Sequence, residues 1–398
     1  MAEAELGHRV PDNPLLTSAD VTPSQRNLEV VSVFNAAAAK LGEETILLLR
    51  VAERPRSIKG RPPTGAQTLD LTATDDGLRP LPPGIRGENL LGVTYLDTSR
   101  EPPKVVIAYV PRTLPGIDLA DPRRIRFHVQ PARPEGLVEV RDYLTYISHL
   151  RVARSTDGVH FRVDSRPALM PSNSLEEYGC EDPRATLIDG LWHITYVSAG
   201  RLGITTSRAT TSDFCTFERQ GVMFMPDQKD VVIFPERVGG RFVALTRPMP
   251  QSFNKVLGIW IAFSDDLHQW GGHRPLALPR KGMWDALRTG ASAVPFRVLE
   301  GWLELYHGVD AHGRYCMGGL LLDGEDPSRV IARSPVPILV PTEDYERSGL
   351  YNETVFSCGH VALDDRGERI RMYYGAADSC VAAADFEVRD IIASLARC

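Results

Sequence analysis

Short stretches of strand length recur along most of the chain and are separated by glycine and proline. They are apolar or alternate between apolar and polar residues, as in TILLLRV, WHITYVS, RFVALTR, WLELYHG and IRMYYG. Alternation with a period of two is typical of β-strands. Helical periodicity is scarce outside the C-terminal segment FEVRDIIASLA. The pattern therefore predicts an all-β protein with a short C-terminal helix.

One strand unit repeats along the sequence: a glycine, then one to three residues, then an aromatic-rich or β-branched strand. The unit occurs at Gly42, Gly190, Gly240, Gly301 and Gly367. Self-similarity of this kind is typical of repeat architectures such as β-propellers. Five copies predict a single-domain, five-bladed β-propeller.

A second repeat is a Ser-Asp turn followed by an aromatic residue. It begins at Ser155 (STDGVHF), Ser212 (SDFCTF) and Ser264 (SDDLHQW), at intervals of roughly 50–60 residues, about the size of a four-stranded blade. The aspartate can cap the hairpin turn, and the aromatic ring can pack between neighbouring blades. The alternative is a β-sandwich, or a pair of them, whose hairpins happen to look alike.

The predicted organisation is an N-terminal extension over residues 1–29 and a catalytic propeller over residues 30–398. The segment from about 52 to 135, rich in Pro, Arg and Gly, is interpreted as insertions and loops around the first blade. Blades cannot bury their faces alone, so the ring should close as one unit with its ligand site at the central channel.

Composition and charge narrow the class of protein. Of 398 residues, 43% are hydrophobic and 24% charged, which is ordinary for a globular protein. The net charge of -6 arises from interspersed acids and bases, which argues against nucleic acid and anionic membranes as partners. Without a signal-peptide pattern or a long apolar run, we expect a cytoplasmic protein. The six cysteines are widely spaced and are expected to be reduced.

The sharpest local signal is the segment YGCEDPR at residues 178–184. It places two carboxylates, Glu181 and Asp182, directly before Pro183 and Arg184. Proline fixes its own φ and restricts the residue before it, so the corner can hold an acid in one place. The alternative is a blade-edge turn in which Asp182 and Arg184 form an ion pair and bind no substrate.

Several segments in order, from about residue 30 to 385, closely resemble glycoside hydrolase family 130, the β-mannoside phosphorylases and their hydrolase relatives. They are LTYISHLRVARSTDGVHF, GCEDPRATLIDGLWHITYVS, DVVIFPERVGGRFVALTRP, GWLELYHG, LLDGEDPSRVIARSPVPILVP and YYGAAD. The resemblance implies a five-bladed propeller and an inverting mechanism with Asp182 as general acid. It also implies that the proton passes through a mannose hydroxyl while inorganic phosphate attacks the anomeric carbon, giving α-mannose 1-phosphate.

The resemblance places phosphate ligands at Lys229, Arg247 and Arg288, and Tyr315 could add a hydroxyl. Phosphate is already an anionic nucleophile and needs cations to position it, whereas an inverting hydrolase needs a second carboxylate to activate water. Each cation also has a structural interpretation: Lys229 as a solvated loop charge, Arg247 as an ion pair with Glu236, and Arg288 as a blade-edge salt bridge.

Some residues depart from the family pattern. Asp230 stands where an asparagine is often seen, and its carboxylate would repel phosphate or act as a base for water. Thr246 replaces a frequent histidine, the segment TGASAVPF lacks a glycine at Ala291 or Ser292, and Ala36 follows Asn35 where proline or serine is more usual. These departures keep open a β-mannosidase that uses Asp230 or Glu236 as base. A non-catalytic sugar-binding propeller is the third hypothesis.

For the sugar next to the scissile bond, the resemblance points to Asn35, Arg50, Arg56 and Asp378. Amide, carboxylate and guanidinium groups suit the vicinal hydroxyls of mannose. Asn35 can instead form a turn, Arg50 a strand ion pair and Asp378 a cap at ring closure.

Four further residues are assigned to substrate binding: Glu181, Arg184, Tyr306 and His307. Tyr306 could supply a stacking face and His307 a hydrogen bond, although a core histidine is the simpler interpretation of His307 alone.

The sequence contains no motif for another kind of catalytic chemistry. There is no Gly-rich phosphate loop, no GxSxG, no HExxH and no Cys-His metal spacing, so we expect no metal and no cofactor beyond phosphate as co-substrate. The expected partners are a β-mannoside oligosaccharide and phosphate. The sequence does not fix the linkage, the leaving sugar or the oligomeric state. A homo-oligomer is one possible assembly.

Overall fold

The computed structural model describes residues 5–70, 77–121, 123–129 and 139–398, and almost all of its regular structure is β-sheet. The strands before residue 145 are β1 (His8–Arg9), β2 (Leu28–Leu41), β3 (Glu44–Pro55), β4 (Gln67–Leu69), β5 (Leu78–Pro80), β6 (Leu90–Asp97), β7 (Lys104–Pro111), β8 (Ile117–Asp118), β9 (Arg124–Val129) and β10 (Glu139–Leu144). The all-β class predicted from the alternation is confirmed.

The remaining strands are β11 (Ile147–Ser155), β12 (Arg162–Val163), β13 (Gly179–Ile188), β14 (Leu191–Gly200), β15 (Gly203–Thr211), β16 (Glu218–Phe224), β17 (Gln228–Ile233), β18 (Phe242–Pro248), β19 (Ile259–Ser264), β20 (Gly271–Ala277), β21 (Arg288–Ala291), β22 (Phe296–Val298), β23 (Gly301–Val309), β24 (Tyr315–Leu322), β25 (Val330–Arg333), β26 (Val355–Ala362), β27 (Arg369–Ala376), β28 (Cys380–Glu387) and β29 (Ala396–Arg397). The helices are α1 (Asp344–Arg347), α2 (Val388–Ser394) and two 3-10 turns, Ser18–Asp20 and Gly87–Asn89.

These strands form five four-stranded antiparallel groups, defined here as groups 1 to 5. Their strand orders are β2-β3-β11-β12, β13-β14-β15-β16, β17-β18-β19-β20, β21-β23-β24-β25 and β26-β27-β28-β1. Groups 1 and 2 are joined by one parallel β-bridge, between Ser148 and Gly179. Gly179 has a φ of 138°, and a Cβ there would lie 2.5 Å from the carbonyl oxygen of Ser148, so this junction requires glycine.

The N-terminal segment completes group 5 through β1, which pairs with β28. Arg9 of β1 also donates to Glu346, a buried residue of α1. The predicted N-terminal extension is therefore part of the last sheet, and group 5 is assembled from both ends of the chain.

Three groups share a buried triad that the sequence analysis did not detect. In each, a carboxylate before the first strand accepts a hydrogen bond from a tyrosine of the second strand. The same carboxylate forms an ion pair with an arginine of the fourth strand. The triads are Glu176–Tyr196–Arg219, Asp285–Tyr306–Arg333 and Glu346–Tyr374–Arg9. The tyrosine hydroxyls lie 3.0, 2.9 and 2.7 Å from their carboxylates.

The Ser-Asp turns behave as predicted. In the turn after Ser264, the Asp266 side chain accepts two backbone N–H groups at 2.8 Å, and Asp157 and Asp213 cap their turns in the same way. Trp270 packs 5.5 Å from Phe224 of the preceding group, measured between ring centroids. The turn aromatics thus link neighbouring groups.

The segment between β3 and β11 forms strands β4 to β10, called here the insertion layer. It has its own core, which includes Val93, Tyr95, Val110 and Phe127. The prediction of insertions at this place agrees with the structure, but the insertion layer is folded β-sheet.

The helices of the described residues lack the length and the apolar character of a membrane span.

Candidate active site

A cavity of about 360 Å³ lies where the groups converge. The predicted site residues that line it are Asn35, Arg50, Glu181, Asp182, Lys229, Arg247, His307, Tyr315 and Asp378. They come from all five groups, so residues far apart in sequence share one chamber.

The first strands of groups 1 to 3 each deliver a polar residue to this region through an irregularity in the strand. Asn35, Asp182 and Asp230 have φ values of 47°, 44° and 54°, and each lies where the register to the next strand shifts. Asn and Asp tolerate this left-handed conformation better than other non-glycine residues. A bulge next to an active site re-aims a side chain, which explains the choice of residue at these positions.

Asp182 is buried and surrounded by donors. Its Oδ1 accepts hydrogen bonds from Asn35 Nδ2 and Arg50 Nη1, both at 2.9 Å, and its Oδ2 lies 3.5 Å from Lys229 Nζ. Burial alone would raise the pKa of Asp182, but Arg50, Lys229 and Arg184 hold that pKa well below its usual range. Before ligands bind, Asp182 is therefore ionised at neutral pH.

Arg184 lies behind the acid and does not line the cavity. Its guanidinium donates to the backbone carbonyls of Asp182, Ala291 and Ser292 at 2.9, 3.1 and 3.0 Å. These bonds fix the corner against group 4. The predicted substrate contact of Arg184 does not fit this placement, because its donors are used by the protein backbone.

A cationic wall faces the cavity from groups 3 and 4. Lys229 and Arg247 line the cavity, whereas Arg288 lies behind the lining residue Tyr315 and donates to its hydroxyl at 3.0 Å. Arg247 Nη1 and Arg288 Nε are buried without a hydrogen-bond partner among the described residues. Buried donors in this state are costly unless a ligand or water satisfies them.

Asp230 is fully buried beneath this wall. Its carboxylate accepts from Arg247 Nε at 2.7 Å and lies 3.5 Å from Arg184 and 3.4 Å from His307. Burial opposes ionisation, but the positive charges of Arg247, Lys229 and Arg184 lower the pKa of Asp230 well below its usual range. The predicted repulsion of phosphate is thus offset, and a carboxylate with so low a pKa is a poor base for water.

Glu236, the other candidate base, lies elsewhere. It is exposed and pairs with Arg297 at 2.8 Å, and it does not line the cavity. The predicted ion pair between Arg247 and Glu236 is also wrong, because the partner of Arg247 is Asp230.

His307 projects into the cavity, although its surface is fully covered by protein. Its Nδ1 lies 2.9 Å from Ser292 Oγ, and burial lowers the pKa of His307 to about 3, so the ring is neutral. A Cβ on Gly290 would lie 2.4 Å from this ring, so the close approach requires glycine.

Tyr306 and Arg56 lie away from the cavity. Tyr306 belongs to the buried triad of group 4, so the predicted stacking on sugar does not fit its position. Arg56 lies beyond the end of β3, where its Nε donates to the carbonyl of Leu28 at 3.1 Å and its side chain lines a separate groove.

Several cavity residues were missed by sequence reasoning. The insertion layer and the segment after it contribute Asp121, Arg123, Arg124, Asp142, Leu144 and Tyr146. The segment before β26 and the start of that strand contribute Tyr351, Thr354 and Phe356. The Arg50 guanidinium lies 4.5 Å from the Phe34 ring centroid and 5.9 Å from that of Tyr146. No motif marks these residues, and only Leu144 and Tyr146 fall within a stretch that the resemblance covers.

The carboxyl of Asp378 should make the stability of the protein depend on pH. Burial, opposed by Arg50 and reinforced by Asp182, raises the pKa of Asp378 to about 6. Between the ordinary aspartate pKa and about 6, the folded protein binds a proton that the unfolded chain has lost, so stability falls as pH rises through this window. Asp378→Asn, which suits the φ of 51°, should therefore stabilise the protein by about 1–2 kcal/mol at pH 7.5.

The gain from Asp378→Asn should disappear near pH 4, where the parent carboxyl is also neutral. Denaturant unfolding of both proteins at the two pH values measures this difference. An Asn variant that is less stable than the parent at pH 7.5 would contradict the assignment.

Comparison with known proteins gives a consistent set of relatives. A family model for glycoside hydrolase family 130, described as beta-1,4-mannooligosaccharide phosphorylase, matches residues 137–397. Beta-1,2-mannobiose phosphorylase of Listeria innocua is 38% identical over 391 residues, 98% of either chain. 1,2-beta-oligomannan phosphorylase of a Thermoanaerobacter species is 38% identical over 252 residues, 63% of this chain and 82% of the relative. The solved Listeria innocua enzyme in complex with beta-1,2-mannobiose has a TM-score of 0.81 at 36% identity and covers 98% of each chain.

Proposed function

Because the chain belongs to glycoside hydrolase family 130, we propose that it cleaves β-1,2-linked mannosides with inorganic phosphate and releases α-mannose 1-phosphate. Family membership makes the protein an enzyme of the group that acts on β-mannosides. The β-1,2 linkage is proposed from the full-length relative, which is named for that linkage.

The proposal of phosphate and not water as the nucleophile rests on the buried donors of the cationic wall, which have no partners among the described residues. Arg247 Nη1 and Arg288 Nε await an acceptor, and Lys229 adds a positive charge 3.5 Å from the acid. A phosphate dianion between Lys229 and Arg247 would accept charge-assisted hydrogen bonds from both, and Arg288 adds positive charge behind the Tyr315 hydroxyl.

The carboxylates that line the cavity support the same choice. Asp121 and Asp142 are paired with arginines of the insertion layer. Glu181 accepts from Arg50 at 2.6 Å, and Asp378 lies near Arg50 and Asp182, on the side of the acid. An inverting hydrolase needs a free base across the sugar from its acid, and the described part of the cavity offers none there.

In the proposed reaction, Asn35, Arg50 and Asp378 hold the mannose whose anomeric bond breaks. Monohydrogen phosphate attacks the anomeric carbon while the bonding pair leaves with the glycosidic oxygen, which takes the proton of Asp182 through a mannose hydroxyl. The proton of the resulting phosphate monoester restores the acid. Asp182 must be protonated at this moment, and phosphate beside Lys229 would raise its pKa by cancelling that positive charge.

The test is a product analysis. The protein is incubated with β-1,2-, β-1,3- and β-1,4-linked mannobiose, with and without inorganic phosphate, and sugars and sugar phosphates are quantified. We expect α-mannose 1-phosphate from the β-1,2 substrate, only when phosphate is present. Free mannose at a rate independent of phosphate would overturn phosphorolysis. Glu181 and Asp378 would then be the candidate bases for water.

We also propose that the five groups are the blades of one β-propeller. The first strands β26, β2, β13, β17 and β21 contact one another in that sequence, and β24 of group 4 contacts β26. The common cavity among the groups supports this arrangement. A cytoplasmic location and the lack of a bound metal or cofactor stay predictions from the sequence.

A further inference from the structure

A second groove, of about 560 Å³, runs along the insertion layer and the end of β3. It shares two lining residues with the catalytic cavity, Asp121 and Arg124. The groove and the cavity therefore meet at one edge. Asp182 and Arg50 are buried, whereas the shared residues Asp121 and Arg124 are partly exposed, so a leaving group longer than one sugar can extend from the acid into this groove.

The groove is basic although the protein as a whole carries a net charge of -6. Its acidic residues are Glu88 and Asp121, and its basic residues are Arg54, Arg56, Lys59, Arg112 and Arg124. Arg54 and Arg124 also pair with carboxylates outside the groove, Glu29 at 2.7 Å and Asp142 at 3.2 Å. The positive charge of the groove therefore rests on Arg56, Lys59 and Arg112.

Both carboxylates are already used. Glu88 accepts the backbone N–H of Gly60 at 2.9 Å and lies 3.4 Å from Arg86. Asp121 accepts two bonds from the Arg123 guanidinium, each at 3.0 Å. Asp121 also lies 3.7 Å from Arg124 of the groove, and neither acid is paired with Arg56, Lys59 or Arg112.

Arg56, Lys59 and Arg112 form no ion pair within the described part of the chain. Arg56 is oriented by its bond to the Leu28 carbonyl, which leaves its two Nη groups for a ligand. Guanidinium groups held in this way recognise phosphate and carboxylate oxygens through paired donors.

Apolar residues floor the groove between these cations, among them Ile58, Leu90, Leu91 and Leu119, with Tyr109 beside them. Such a surface suits the apolar face of a sugar ring. We propose that the groove binds the leaving-group side of the substrate and selects an oxyanion there, a phosphate ester or a carboxylate on the leaving sugar or on the unit attached to it. This inference rests on the proposed function.

The test uses the synthetic direction of a phosphorylase, with α-mannose 1-phosphate as donor. Mannose and β-1,2-mannobiose are compared as acceptors with their 6-phosphates, the phosphate of the disaccharide being on its reducing unit, and with the corresponding uronic acids. We expect kcat/KM for one charged class to exceed that of its neutral parent by about tenfold at low salt, and the advantage to shrink as salt increases. The class that gains distinguishes phosphate from carboxylate.

The combined variant Arg56→Gln, Lys59→Gln, Arg112→Gln should remove this advantage and leave kcat/KM for neutral acceptors unchanged. A matched variant, Arg366→Gln with Arg389→Gln, changes exposed arginines outside the groove and should keep the advantage. The inference is overturned if no charged acceptor exceeds its neutral parent, or if the advantage survives the groove variant. Failure of synthesis with every acceptor, together with phosphate-independent release of mannose, would instead reject the proposed function.

Discussion

Asp182→Asn should reduce the rate of phosphorolysis by about 10³–10⁴-fold while the protein stays folded. Asparagine keeps the size of the side chain, tolerates the φ of 44° and can still accept hydrogen bonds from Asn35 and Arg50. It has no acidic proton to transfer to the leaving oxygen. The loss should therefore appear in kcat, with the KM for mannobiose changed by only a few-fold. Steady-state kinetics and a thermal melt of both proteins measure these effects.

Glu181→Gln is the matched control for Asp182→Asn. It neutralises the adjacent carboxylate, which also accepts from Arg50, and should cost about tenfold because it changes binding and not proton transfer. Equal losses in the two variants, or substantial activity in Asp182→Asn with an intact fold, would be incompatible with Asp182 as the acid.

Lys229→Met should lower kcat/KM for phosphate by about 10²–10³-fold, corresponding to about 3–4 kcal/mol of lost interaction with the dianion. The lysine is the best probe of the cationic wall because its side chain is 21% exposed and, among the residues that the structure describes, it pairs only with Asp182. Arg247 is less suitable, since its removal would strand the buried charge of Asp230. Initial rates at varied phosphate and saturating mannobiose measure the effect.

Lys40→Met controls for the loss of a lysine as such, because Lys40 is exposed on β2 and does not line the cavity. It should leave the phosphate dependence unchanged. If Lys229→Met retains the parent kcat/KM for phosphate, the anion does not bind at this wall.

The sequence predicted nine of the residues that line the cavity, because these residues lie in or beside motifs that the resemblance covers. It failed where strand geometry had to be applied residue by residue. Tyr306 and His307 are neighbours on β23, so their side chains point to opposite faces, and only His307 can face the cavity. Arg56 follows Arg50 by six residues, which is about 20 Å along a strand, so the two could not share one site.

Other features depended on contacts that no local pattern encodes. The prediction that Asp230 would repel phosphate considered its charge alone, whereas its environment is set by Arg184 of group 2, Arg247 of group 3 and His307 of group 4. Arg123 and Tyr351 line the cavity only because the insertion layer folds over it, with the Arg123 guanidinium 5.2 Å from the Tyr351 ring centroid. Long-range packing of this kind cannot be read from composition or spacing.

The pairing of β1 with β28 has a consequence for how the chain matures during synthesis. Arg9 leaves the ribosome well before its partner Glu346, which follows 337 residues later. At about 5–20 residues per second, β1 stays unpaired for tens of seconds until the other strands of group 5 are made. Groups 1 to 4 can form during this time, so β1 is made before the other strands of its sheet and pairs only after them.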